Sequence, residues 1–223
     1  MAEKSSSYFF GGMMEGQKSF KERVKETLIS YAQDYKMYYV DYEYLLCSKA
    51  FSRSAYYIVS AHEDNYLHLT GVHTNLGASA FFQKCYDGTL EENDFDFNKD
   101  GQSESEVKGS VRRKINALGA IMGIFSGGTI AEEDFVKNRI RCALATSNTN
   151  VTLGFMVVGK AKPMTLLKGN ELDSEKAQSL DLVLRKTRGE CNFKEMVVGS
   201  NEILREYKEK LGSLVAESLF NEE

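Results

Sequence analysis

A chain of 223 residues with 42% hydrophobic and 27% charged side chains is long enough to bury a sizeable core and ordinary enough to be globular. Its net charge of −4 at pH 7 excludes a globally basic surface, so any polyanion site has to be a local patch. No stretch approaches the ~20 apolar residues of a membrane span, and the N-terminus lacks the basic and apolar regions of a signal peptide. The expectation is a soluble, cytoplasmic protein without membrane contact.

Met1–Gly16, rich in Ser and Gly, is expected to be a flexible arm, and residues 17–223 a single α+β domain. Phe20, Val24, Leu28, Tyr31 and Tyr35 recur at helical spacing and predict an N-terminal helix. Two aromatic-rich runs, near Tyr38–Leu46 and Tyr56–Ala61, favour extended chain. The sextet Tyr66-Leu67-His68-Leu69-Thr70-Gly71 follows, an apolar segment running into a Thr-Gly turn. Asn75 is read as the cap of a short helix that carries Phe81, Phe82 and Cys85 and ends near Gly88.

Residues 91–106 read as an acidic loop. Val111, Ile115, Leu118, Met122 and Phe125 then form the stripe of a long middle helix, stopped by Gly127-Gly128. Thr129 and Glu132 have the spacing of a capping box and predict a short helix to about Val136. From Arg139 onward the period becomes two. Strands are expected on either side of a Ser147–Asn150 turn, around Pro163, along Leu180–Leu184 and over Phe193–Val198. A C-terminal helix starts near Ser200 and Asn201 and presents Leu204, Tyr207, Leu211 and Val215. Helices first and strands later predict an α+β fold with a small, mostly antiparallel sheet.

Four widely spaced cysteines, Cys47, Cys85, Cys142 and Cys191, make no Cys-x-x-Cys pair, so free thiols and neither a metal nor another cofactor are expected. His68 draws attention as one of three histidines, because a neutral imidazole beside a hydroxyl can serve acid–base chemistry. A buried ring satisfied by backbone groups is the plainer alternative. Asp96-Phe97-Asn98-Lys99-Asp100-Gly101 matches the first half of a calcium loop, but Val107 stands where the bidentate carboxylate belongs. A solvated turn explains the same residues.

Lys108, Arg112, Arg113 and Lys114 form a basic cluster that suits a solvated helix face. Arg139 and Arg141 leave one face of a strand and make a pair able to hold a phosphate. Arg185 and Lys186 end the hydrophobic run Leu182–Leu184, where a cation could stabilise a pentacovalent phosphorane.

Several segments in order carry a resemblance: Leu67-His68-Leu69-Thr70-Gly71, the helix with Phe81 and Phe82, Leu153-Gly154-Phe155, Pro163-Met164-Thr165-Leu166-Leu167, Leu182–Lys186 and Phe193-Lys194-Glu195. Over roughly residues 18–200 this order resembles the phage- and mobile-element-associated domains grouped with barnase, EndoU, colicin and RelE-type nucleases. The resemblance implies helices on a sheet whose open face carries the site, and metal-independent RNA cleavage by the ribose 2′-hydroxyl. It implies His68 as acid or base, Thr70 and Thr165 positioning the phosphate, and Arg185 and Lys186 stabilising charge. The partners implied are RNA and a protein partner or inhibitor. The alternative is a non-catalytic binding or inhibitor module that holds a protein or nucleotide in the same groove.

Overall fold

The computed structural model describes residues 18–221, so the expected arm at 1–16 lies outside it. Helix α1 (Phe20–Tyr35) starts where the Ser19 hydroxyl accepts from the Glu22 N–H, and it buries Val24, Leu28, Ala32 and Tyr35 along one stripe. A π-helical turn at Lys36–Val40 replaces the extended start expected at Tyr38. Continuing the helical stripe stacks Tyr39 on Tyr35 and brings its hydroxyl to the Ile121 carbonyl at 2.6 Å.

Strands β1 (Tyr42–Cys47) and β2 (Tyr57–Val59) follow, then helices α2 (Asn65–Thr70), α3 (Ala78–Tyr86) and α4 (Glu104–Leu118). Gly77 rather than Asn75 caps α3. Ser103 and Glu106 form a reciprocal capping box at the start of α4. The middle helix stops at Leu118 and passes into a 3-10 turn, so Met122 and Phe125 lie beyond it.

The remaining strands are β3 (Ile130–Lys137), β4 (Ile140–Ser147), β5 (Val151–Val158), β6 (Lys160–Lys168), β7 (Gln178–Ser179), β8 (Leu182–Thr187) and β9 (Glu195–Val198), before helix α5 (Asn201–Leu211). The helix expected at 129–136 is therefore a strand. Pairing with β4 satisfies its backbone from Ile130 to Lys137, and the Glu132 carboxylate accepts from the Asp173 N–H instead of closing a capping box.

Among the described residues these strands make one nine-stranded sheet, ordered β7-β3-β4-β5-β6-β2-β1-β8-β9 and curled as a half-barrel. The α+β class holds, but the sheet is not small. Every neighbouring pair is antiparallel except β2 and β6, which meet in parallel at Val59 and Ala161. Pro163 sits inside β6 beside a β-bulge, where its missing N–H is tolerated.

One sheet face carries Tyr44, Leu46, Val59, Leu153, Phe155 and Leu166 into the main core with α1–α4. On the other face α5 covers Leu45, Cys47, Leu182 and Leu184. Phe135, Cys142, Ala145 and Leu172 form a separate small cluster. Met156 and Val158 stay exposed. Cys47, Cys85 and Cys142 are buried free thiols and Cys191 is exposed.

Candidate active site

The His68 segment is the short helix α2. The His62 N–H donates to the Asn65 side-chain carbonyl at 2.8 Å where the helix begins, and Tyr66 and Leu69 bury its inner face. His68 lies on the opposite side, exposed to solvent, so the buried-ring reading does not apply. Gly71 ends the helix with a left-handed φ of +77°. The Thr70 hydroxyl donates to the Leu67 carbonyl at 2.8 Å and accepts from the Val72 N–H, which ties the chain reversal together. Lys114 of α4 crosses this end. Its ammonium donates to the His68 carbonyl at 2.8 Å, and a Cβ on Gly71 would come within 2.9 Å of its Cδ. The left-handed backbone angle favours glycine there, and a Cβ would also push the Lys114 side chain aside.

A groove of about 980 Å³ opens beside the end of α2. Its walls come from α2, α4, the loop after Asp96, strand β6 and the tip of the β3–β4 hairpin. Asn138, at φ +53°, makes the turn of that hairpin, which brings Arg139 and Arg141 to the groove. Lys99, Lys114, Arg139 and Arg141 face Asp100, so the cations outnumber the carboxylates despite the acidic chain. Leu67, Val72, Ile140 and Met164 supply apolar wall between them.

Burial, and then the charge of Lys99, push the Lys114 ammonium down to about 8, so it titrates near neutral pH. His73 lines the groove with its Nδ1 3.0 Å from Oδ1 of Asp96, which leaves Nε2 clear of that bond. Partial burial pushes the Asp96 carboxyl up, but hydrogen bonds from the Asn98 N–H and the His73 ring outweigh it and hold the group below the ordinary value. Asp96 is thereby engaged in a turn, and among the described residues no group of three or more His, Cys, Asp or Glu side chains is arranged to hold a metal ion.

Of the residues singled out from the sequence, His68, Thr165, Arg139 and Arg141 come together in this groove. Thr70, Arg185 and Lys186 do not. Thr70 is fully buried and its hydroxyl is spent on the helix end. Arg185 lies over the Tyr42 ring and is held by both carboxylate oxygens of Glu195, at 3.0 and 2.5 Å. Lys186, the next residue, points away from it as strand alternation requires, and donates to the Glu190 and Cys191 carbonyls.

In the sequence His62 and His73 are flanking histidines that could supply a second acid–base group, with nothing in the spacing to select either, and sequence reasoning missed Lys114 as a member of the site. His73 is five residues past His68, but its carboxylate partner is 23 residues further on, a pairing that only the fold reveals. Lys114 had a signal: it closes a basic run of which two other members, Lys108 and Arg112, rest on the Phe97 and Phe20 rings.

An α+β domain that gathers histidines and surplus cations around one groove fits the nucleases that act by acid–base chemistry on phosphodiesters. The family model described as phage-Barnase-EndoU-ColicinE5/D-RelE like nuclease4 matches residues 27–223, and the chain belongs to that family. No curated protein and no solved structure matches it. Among the described residues no helix is long and apolar enough to cross a membrane.

Proposed function

We propose that this nuclease-family domain cleaves RNA without a metal ion in the groove at the end of α2. The observation that carries the reading is the convergence of two histidines, Thr165 and four cations on one open cleft. Arg139, Arg141 and Lys114 hold the phosphate and balance the charge that builds on its oxygens. Thr165, on the groove wall, offers a hydroxyl to the same phosphate. His68 takes the proton of the attacking 2′-hydroxyl. His73, oriented by Asp96, gives one to the leaving 5′-oxygen. The charge-stabilising part expected of Arg185 and Lys186 thus passes to the cations that line the groove.

The test is incubation of the purified chain with tRNA, rRNA and mRNA in a chelating buffer. Cleavage that leaves a 2′,3′-cyclic phosphate is expected, reduced about 10²–10⁴-fold by His68→Ala, the usual reach of one acid–base group. Because His68 is exposed, the melting temperature of that variant should stay with the parent. RNA left whole by the parent chain in every buffer would sink the reading. A single stoichiometric protein occupying the groove would favour a binding module instead.

A further inference from the structure

We propose that the sheet face opposite α1–α4 carries a second site, which binds a phosphate ester between Lys160, Lys186 and Arg188 around the buried Glu43. The inference rests on a charge imbalance and does not depend on the groove at α2.

The β1 alternation sends Tyr44 and Leu46 to the main core and Leu45 and Cys47 under α5, so Glu43 belongs to the α5 side. Where an apolar residue would be expected it is only 3% exposed. Its carboxylate accepts from the Ser60 hydroxyl at 2.7 Å and from the Lys160 ammonium at 2.5 Å. Both bonds fall on Oε1, and Lys160 already balances the charge of the carboxylate. Yet the Lys186 ammonium stands 3.6 Å away and the Arg188 guanidinium 3.8 Å away.

Neither extra cation is there by default. Arg188 is fixed by the Val40 and Ala61 carbonyls and the Ser60 hydroxyl, and Lys186 by the Glu190 and Cys191 carbonyls. These hydrogen-bond partners are neutral, and the Glu190 carboxylate, which also acts on Lys186, is already paired with Lys194. Three cations share one carboxylate, a like-charge assembly that stability alone does not favour. Burial, and then the charges of Arg188 and Lys162, oppose the protonation of the neighbouring His62 and outweigh the pull of Asp64 and Glu43. The missing counter-charge is an anion approaching from solvent, and Lys160 and Arg188 are open to it, with side chains 48% and 31% exposed.

A second observation narrows the anion. In the sheet register Met156 stands opposite Lys162 and Val158 opposite Lys160. Cross-strand partners share a face, so Val158, 73% exposed, stands beside Lys160, and Met156, 50% exposed, stands two residues along beside Lys162. Such a neighbourhood suits an ester whose phosphate sits on the cations while its organic part lies over the apolar pair. A nucleotide and a nucleic-acid strand share that chemistry.

The experiment titrates the full chain, carrying Arg139→Gln and Arg141→Gln to weaken the groove, while following the Nε–H signal of Arg188 by ¹⁵N NMR. Inorganic phosphate, a mononucleotide and a deoxyoligonucleotide of five residues are the probes. The deoxy strand has no 2′-hydroxyl and is not cleaved by transesterification. Saturable shifts are expected with all three, tighter for the esters than for inorganic phosphate. Lys160→Gln and Lys186→Gln should each weaken binding about tenfold with the fold retained. Met156→Ser with Val158→Ser should remove the esters' advantage alone. An oligonucleotide that outbinds the mononucleotide identifies a strand as the source, and equal binding identifies a free nucleotide. No saturable shift, esters no tighter than inorganic phosphate, or binding unchanged in both lysine variants would overturn the proposal. Loss of cleavage on His68→Ala bears on the groove only.

Discussion

Thr70 and Lys114, beside the groove, divide between scaffold and proposed chemistry. Thr70 is scaffold: Thr70→Val removes a buried hydroxyl that both donates and accepts, and should cost about 1–3 kcal/mol in urea unfolding while leaving His68 in place. Under the proposed function Lys114 belongs to the chemistry. Its folded value is pushed down to about 8 from the usual 10.5, so the charged form fades as pH rises through about 8. RNA affinity measured with an uncleavable strand should therefore fall through that range, and Lys114→Arg should flatten the fall. Stability runs the other way. Between about 8 and 10.5 the unfolded chain binds a proton that the folded chain does not, so at this site rising pH favours the fold.

Glu43, on the opposite sheet face, is scaffold and also the centre of the proposed second site. Burial pushes its carboxyl up, but bonds from Lys160 and Ser60 prevail and hold it below the ordinary carboxylate value. Its contribution is present above that ordinary value and is lost as pH falls through the folded one. Glu43→Gln leaves the cations without their carboxylate and should destabilise the fold by about 3–5 kcal/mol at pH 7, read by urea denaturation.

Elements were legible in the sequence where a periodic stripe met a chemical stop. The stripe of α1 and the Ser200 start of α5 appear as the spacing predicts. Reading failed where local chemistry and long-range pairing disagreed. Thr129 and Glu132 have capping-box spacing, but β4 offers Ile130–Lys137 a full ladder, and the tertiary partner prevails. The His68 sextet is too short to show a helical period, so its helix was not visible in advance. Glu43 did leave a signal: an acidic residue inside the run Tyr42–Cys47 occupies a position that alternation assigns to the interior.

The close packing of β4, β5 and β6 is testable at the same scale. A Cβ on Gly154 would meet Cys142 Sγ at 2.5 Å and Thr165 Cγ2 at 2.9 Å. Gly154→Ala should cost about 1–3 kcal/mol through overpacking, and should also displace Thr165 from the groove wall. A fall in RNA affinity beyond the loss of folded protein would show that second effect.

At the scale of the molecule, the net charge of −4 confines any polyanion site to a local patch, and the fold concentrates cations in one groove. Lys99, Lys114, Arg139 and Arg141 could neutralise several phosphates. Single-strand affinity should then fall with salt along a log–log slope of about −3, at about −0.7 for each phosphate neutralised. Arg139→Gln should make that slope shallower by about 0.7. A slope near zero would leave the groove without a polyanion partner. The α+β class and His68, Arg139 and Arg141 were legible from period and residue type, whereas Thr165 came from the family resemblance. The absence of Arg185 and Lys186 from the groove was not, because two cations adjacent in sequence point to opposite faces of β8, and only the strand order of the sheet decides what each face meets.

That strand order also bears on how the chain comes to be folded. The middle of the sheet is joined through the parallel contact of Val59 with Ala161, and β1 is closed on its other side by β8, with Tyr42 paired to Thr187. Both junctions link parts of the chain more than a hundred residues apart, so large loops must close before either yields its bonds. Folding should be slow for a domain of this size. During synthesis, Glu43 would wait for nearly the whole chain before Lys160, Lys186 and Arg188 could reach it.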